Sequence, residues 1–233
     1  MPTLEILRAG TPIPLTERWG SAYVLEIADD VIMIDCGPAA TAQLLAMDRK
    51  PEDVTHLFFT HHHSDHSVDY PCLFLFRWDR CTGEEPPLRI FGPPPTAKMT
   101  EGLFGEDGVY AEDIAARINS IASQYCHRSR GGSIPRPGPK YQVTDMASGD
   151  SVDGGGWAAT CAEVSHMEPY MKTFAWRFDW EGGSLAFTSD TVRCEALMEL
   201  IDGVDTLVAD VTHRQERMDP DEATCIFATG DVA

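Results

Sequence analysis

Positive charge is scarce in this chain: 18 Lys and Arg stand against 37 Asp and Glu, a formal net charge of −19 at pH 7. A surface of that sign repels phosphate backbones, so composition disfavours a nucleic-acid partner. The nearest thing to a basic patch is His127-Arg128-Ser129-Arg130, followed by Arg136 and Lys140, in a Gly/Pro-rich stretch expected to be a solvated loop. Long apolar runs are also missing; none approaches the roughly 18 residues that span a bilayer, so no membrane partner is expected. The N-terminal Met-Pro-Thr-Leu-Glu-Ile-Leu-Arg lacks the basic-then-apolar pattern of a secretory leader, which makes a cytoplasmic setting the expectation. Cysteine pairs are absent too. Seven scattered cysteines (Cys36, Cys72, Cys81, Cys126, Cys161, Cys194, Cys225), with no CxxC, argue against a disulfide framework and a cysteine-rich zinc module. Most are expected to be small buried residues, and any metal must be held by His and carboxylates.

What remains supports a real core: 233 residues, 43% hydrophobic. Tyr23–Ile27 and Val31–Ile34 are β-rich runs around a turn at Ala28-Asp29-Asp30, and predict a hairpin. Residues 39–47 have helical composition, and the apolar run 54–60 suits a strand buried on both faces. Residues 72–78 are strongly apolar and aromatic, and Leu88–Phe91 is a further short strand. Ile114, Ile118 and Ile121 give 110–125 a helical period, flanked by loop-like 93–95 and 131–139. Strands are expected at 157–164, 173–180 and 184–187, the last two joined by Glu181-Gly182-Gly183, then a helix at 194–200 and a strand at 206–211. Gly154-Gly155-Gly156 lacks the Lys-Ser/Thr of a phosphate loop and is better taken as a hairpin turn.

The chemistry concentrates in Thr60-His61-His62-His63-Ser64-Asp65-His66, directly after a buried strand. In an extended chain His61, His63 and Asp65 share one side and His62 points away, and a turn after Ser64 returns His66 to the same space. Imidazole and carboxylate suit Zn²⁺, and also Fe or Mn, better than Ca²⁺ or Mg²⁺. A purification tag is the bland alternative, but a tag is terminal and is not interleaved with Asp.

The HxHxDH pattern resembles the signature of the metallo-β-lactamase superfamily. Asp35 in Ile34-Asp35-Cys36-Gly37 is similar to that family's strand-end Asp-x-Gly, and Gly10-Thr11-Pro12 loosely resembles the start of its ribonuclease Z and arylsulfatase-like branch. The resemblance implies an α/β fold, the αββα four-layer sandwich, as one domain over 1–233. The region around 92–140 is open to two readings on its composition, a lid or insertion over the site and plain packing. The resemblance also implies two divalent metal ions, Zn²⁺ foremost with Mn or Fe as alternatives. His61, His63 and His166 would hold the first; Asp65, His66 and a bridging Asp190 would hold the second. A water shared by two such cations is delivered as hydroxide, with Asp65 orienting it or taking its proton as the catalytic carboxylate. Asp35 is the nearest candidate to fix an imidazole from behind.

One departure stands out. The family's binuclear members end with a further His on a late strand, and none is found here. Asp219-Pro220-Asp221-Glu222 opens a helix, Gly230 is a stop signal, and Asp231-Val232-Ala233 begins a strand that does not arrive. Truncation, an open and weak second site, and substitution by His213 are the three readings. A missing edge strand would leave a sheet edge that invites a homodimer. The expected activity is metal-dependent hydrolysis of a small-molecule ester substrate: phosphodiester, sulfate ester, carboxyl ester or lactone. A β-lactamase, an iron-dependent oxidoreductase and a non-catalytic remnant are the alternatives. Phe74, Phe76, Trp78 and Tyr170 could line a substrate wall, although core packing is the expected role for most of them.

Overall fold

The computed structural model describes residues 1–10, 12 and 19–211. His213, the helix opening at Asp219 and the stop at Gly230 lie outside the described residues. The chain divides into two compact units, 1–59 with 63–145, and 60–62 with 146–233.

The first unit is built on a six-stranded sheet of order β1-β2-β3-β4-β5-β6, formed by Thr3–Arg8, Ala22–Ile27, Asp30–Ile34, His56–Phe58, Leu88–Gly92 and Tyr141–Asp145. The expected hairpin is β2–β3, antiparallel from Tyr23 opposite Ile34 to Ile27 opposite Asp30. Strands β3 to β6 run parallel, with Ile34 beside Phe58. The chain therefore leaves β3 at Asp35 and β4 at Phe59 side by side, and the Asp35 amide donates to the Phe58 carbonyl at 2.8 Å. The carboxyl ends of parallel strands are where open α/β sheets gather ligands.

Helix α1 spans Ala40–Ala46 and α2 is a single turn, Ser64–Ser67. The apolar run at 72–78 belongs to helix α3, Tyr70–Arg80, which buries Tyr70, Leu73, Phe74, Arg77 and Trp78, a spacing that keeps one stripe against the sheet. Phe74 and Trp78 are thus core, as expected, whereas Phe76 is half exposed and Tyr170 is 92% exposed. Helices α4 (Thr96–Phe104), α5 (Ala111–Asn119) and α6 (Ile121–Ser129) follow, and Phe104 and Ile114 join the same core. The 110–125 period was expected to give one helical segment. It is broken at Ser120, whose ψ of 131° is extended, and Ile121 beyond the break is 88% exposed. The basic segment differs from a solvated loop as well, because His127 and Arg136 are buried.

The second unit holds a five-stranded sheet of order β11-β10-β9-β8-β7, formed by Thr206–Val208, Gly183–Phe187, Met171–Trp180, Trp157–Met167 and Ser151–Asp153. Gly154–Gly156 is the turn between antiparallel β7 and β8, and Gly182, at φ 90°, makes the β9–β10 turn. Helix α7, Glu195–Ile201, packs Leu197 on Val164 and Ala175. Among the described residues no helix is long and apolar enough to cross a membrane.

Candidate metal centre

In the first unit the candidate metal loop is clamped by the segment just before β2 and the segment after β3. The Asp65 carbonyl accepts from the Ser21 amide at 2.9 Å and the His66 carbonyl accepts from the Cys36 amide at 2.7 Å. Gly20 and Gly37 both lie so close that a Cβ on either would stand 2.0 Å from the Asp65 oxygen. His63 caps the N-terminal end of α2 in extended conformation, with Asp65 and His66 in its single turn. The turn expected after Ser64 thus begins at Ser64. Behind the loop, His66 Nδ1 meets Asp35 Oδ2 at 2.7 Å, with both groups buried. That bond fixes the ring and leaves Nε2 forward, 3.7 Å from Asp65 Oδ2. The role expected of Asp35 fits this geometry.

In the second unit three candidates converge. His61 follows Thr60, whose carbonyl accepts from the Phe174 amide of β9 at 2.8 Å. His61 is fully buried, its Nδ1 3.0 Å from Thr60 Oγ1 and 3.4 Å from Ser189 Oγ. His166 lies where the β8–β9 register shifts, between Val164 and Met167. Such bulges re-aim a side chain out of the strand alternation. Its ring packs edge-on to that of His61, centroids 5.2 Å apart, and its Nε2 is 4.0 Å from Asp190 Oδ2, beyond direct hydrogen bonding. His61, His166 and Asp190 each bring a ligand atom within 4.8 Å of the others. Two imidazoles and a carboxylate so grouped are a donor set that suits a divalent transition ion.

Supporting residues were harder to foresee. Ser189 adopts a left-handed φ of 62°, and Thr191 Oγ1 donates to the Ser165 carbonyl at 2.9 Å, tying the Asp190 turn to the His166 strand. Glu168 accepts from the His166 amide at 3.1 Å. The sequence signals for these are faint; only the Gly of Asp35-Cys36-Gly37 advertises a close backbone approach.

The sequence family described as a beta-lactamase superfamily domain matches residues 31–229. Ribonuclease Z of Mycobacterium avium (strain 104) is 28% identical over 212 residues, 91% of this chain and 70% of the relative. Human tRNase Z, short form, superposes with a TM-score of 0.68 at 18% identity over 99% of this chain and 85% of its own. The metallo-β-lactamase fold protein YhfI from Bacillus subtilis gives 0.68 at 14% identity, covering 97% and 76%. The α/β fold expected from the sequence is therefore the one present. The expectation that nucleic acid is an unlikely partner is overturned, because the curated relatives are ribonucleases. Net charge is the wrong scale for that judgement: it sums the whole surface, whereas phosphate binding follows the local field, and it omits the charge of bound cations. By the match over 31–229 and these relatives, the chain belongs to the metallo-β-lactamase superfamily, in its ribonuclease Z branch.

Proposed function

We propose that the chain, a metal-dependent hydrolase, cleaves phosphodiester bonds in a nucleic-acid substrate at a binuclear centre. In this reading His61, His63 and His166 hold one divalent ion, and Asp65, His66 and Asp190 hold the other, with Asp190 shared. Zn²⁺ is the preferred occupant, with Mn or Fe as alternatives. The observation that carries the reading is the grouping of His61, His166 and Asp190, residues up to 129 positions apart in the chain, around one small volume. Chain continuity supports the rest: His63 lies two residues beyond His61, at the head of the clamped turn that carries Asp65 and His66.

Bound divalent ions would lower the pKa of a water and stabilise charge on phosphoryl oxygens. The chain's own residues do the positioning. Asp35 holds the His66 ring, so that Nε2 is the nitrogen presented. Thr60 Oγ1 and Ser189 Oγ stand 3.0 and 3.4 Å from Nδ1 of His61 and orient the ring, and Nε2 is the nitrogen assigned to the metal in this reading. Asp65, buried and fixed through its backbone by Ser21, is the carboxylate assigned to orient the attacking water or accept its proton. A cytoplasmic setting belongs to the same proposal, on the odd number of scattered cysteines.

The test is hydrolysis of bis(p-nitrophenyl) phosphate and of a structured RNA by the Zn²⁺- or Mn²⁺-loaded chain. His61→Ala and Asp190→Ala should each lower turnover of both at least about a hundredfold, while His62→Ala keeps most of it. Full turnover in the His61 variant would remove the proposed centre.

A further inference from the structure

The basic segment near residue 130 is folded into a charge cluster on the first unit. Arg117, Arg130 and Arg136 converge on the Asp79 carboxylate at 3.0, 3.0 and 2.9 Å, and Arg117 also pairs with Asp113 at 2.9 Å. Three guanidiniums thus face two carboxylates, an excess of one positive charge on a chain of net charge −19. Arg136 is the buried floor of the cluster. Its guanidinium lies 4.4 Å above the Trp78 ring, its Nη1 donates to Ser123 Oγ at 3.2 Å, and its buried Nε has no hydrogen-bond partner among the described residues. That N–H is closed off from solvent, so Arg136 anchors the cluster while the guanidiniums of Arg117 and Arg130 remain the accessible ones.

The cluster lines an open depression with Ser120 and Ser123, and the side chains of Arg117 and Arg130 are 41% and 51% exposed, so an anion can reach them. Helix α6, which forms one wall, also presents Ile121 at 88% and Tyr125 at 73% exposure, one turn apart. Tyr125 does not line the depression itself but stands next to Cys126, which does, on the same helix. Guanidiniums with an exposed aromatic ring on the adjoining helix surface match single-stranded nucleic acid, whose phosphates take the charge and whose bases stack on the ring. An acidic peptide would use the arginines and leave the tyrosine idle.

We propose that this depression is an accessory phosphate subsite, in which Arg117 and Arg130 take a backbone phosphate of the nucleic acid and Tyr125 stacks on an adjacent base. The inference rests on the nucleic-acid reading above. It is tested by fluorescence anisotropy of a labelled RNA hairpin with a single-stranded tail, bound to the metal-loaded chain over a KCl series, with RNA integrity checked on gels. The double variant Arg117→Gln/Arg130→Gln should bind about tenfold more weakly and lose about two from the salt slope. Tyr125→Ala, which disturbs no ion pair, should weaken binding at least about fivefold. Arg49→Gln, which removes a guanidinium paired with Glu5 and Glu26 instead, should do neither. Turnover of bis(p-nitrophenyl) phosphate and the unfolding midpoint should stay at wild-type values in the double and Tyr125 variants. Wild-type RNA affinity and slope in the double variant would overturn the subsite, as would absent RNA binding by the wild type or equal competition by polyglutamate. Failure of the phosphodiesterase reading is seen separately, as no wild-type turnover of the small substrate.

Discussion

His66 and Asp35 show how much of the proposed metal site would be decided one residue behind it. The carboxylate sits at φ 59°, a left-handed conformation that Asp tolerates, and is aimed straight at His66 Nδ1. Removing such a partner usually costs tenfold to a hundredfold in metal affinity. Asp35→Ala should show that loss in competition with a chromophoric chelator, and unchanged affinity would make the contact incidental. Gly37 acts by what it leaves out. Its Cα faces the Asp65 and Ser21 carbonyls, and a Cβ there would stand 2.0 and 2.8 Å from them. Gly37→Ala should therefore destabilise the fold by about 2 kcal/mol or more in urea unfolding, through displaced backbone rather than lost contacts. At this scale the HxHxDH run and Asp35 were legible because residue type and spacing carry their chemistry. His166 was legible only through the family resemblance. Its placement depends on a register shift, and that of Ser189 on a positive φ; neither is written in side-chain type.

Helix α3 and strand β4 carry the element-level energetics. Phe74 of α3 stacks on Phe104 of α4 with ring centroids 3.8 Å apart. Phe74→Ala should cost about 3–5 kcal/mol, the range for a large core aromatic. On β4, His56 is buried with Arg89 Nη1 3.1 Å from its Nε2 and Asp30 3.4 Å from its Nδ1. Burial pushes its pKa down to about 4; Asp30 opposes the shift and Arg89 adds to it. The unfolded chain takes up this proton from about pH 6.5 downward, the folded chain only near 4. Stability should therefore fall as pH drops from 6.5 to 4, by up to about 3 kcal/mol from this group. His56→Asn should flatten that part of the curve in denaturant titrations at pH 7.5 and 4.5; an unchanged slope would assign the loss elsewhere. The strands that the sequence did not single out, β1, β6 and β7, are all at sheet edges. Edge strands bury little: Leu7 is the buried apolar residue of β1 and Val152 that of β7, so the apolar pattern on which strand recognition relies is thin there. The break at Ser120 was hidden for a different reason, since Ile114, Ile118 and Ile121 keep a helical spacing across two separate helices.

At the scale of the whole molecule, the opposition is between a net charge of −19 and relatives that are ribonucleases. Both hold if phosphate is met by bound cations and by a few placed guanidiniums while the remaining surface stays acidic. The central claim is that residues from distant stretches of the chain ligate the same metal pair. Anomalous diffraction at the zinc edge, from crystals grown with Zn²⁺, tests it most directly. The account predicts two anomalous peaks, one ligated by His61, His63 and His166 and the other by Asp65 and His66, with Asp190 touching both. Peaks held by other side chains, or His166 lying outside the coordination of either ion, would contradict it.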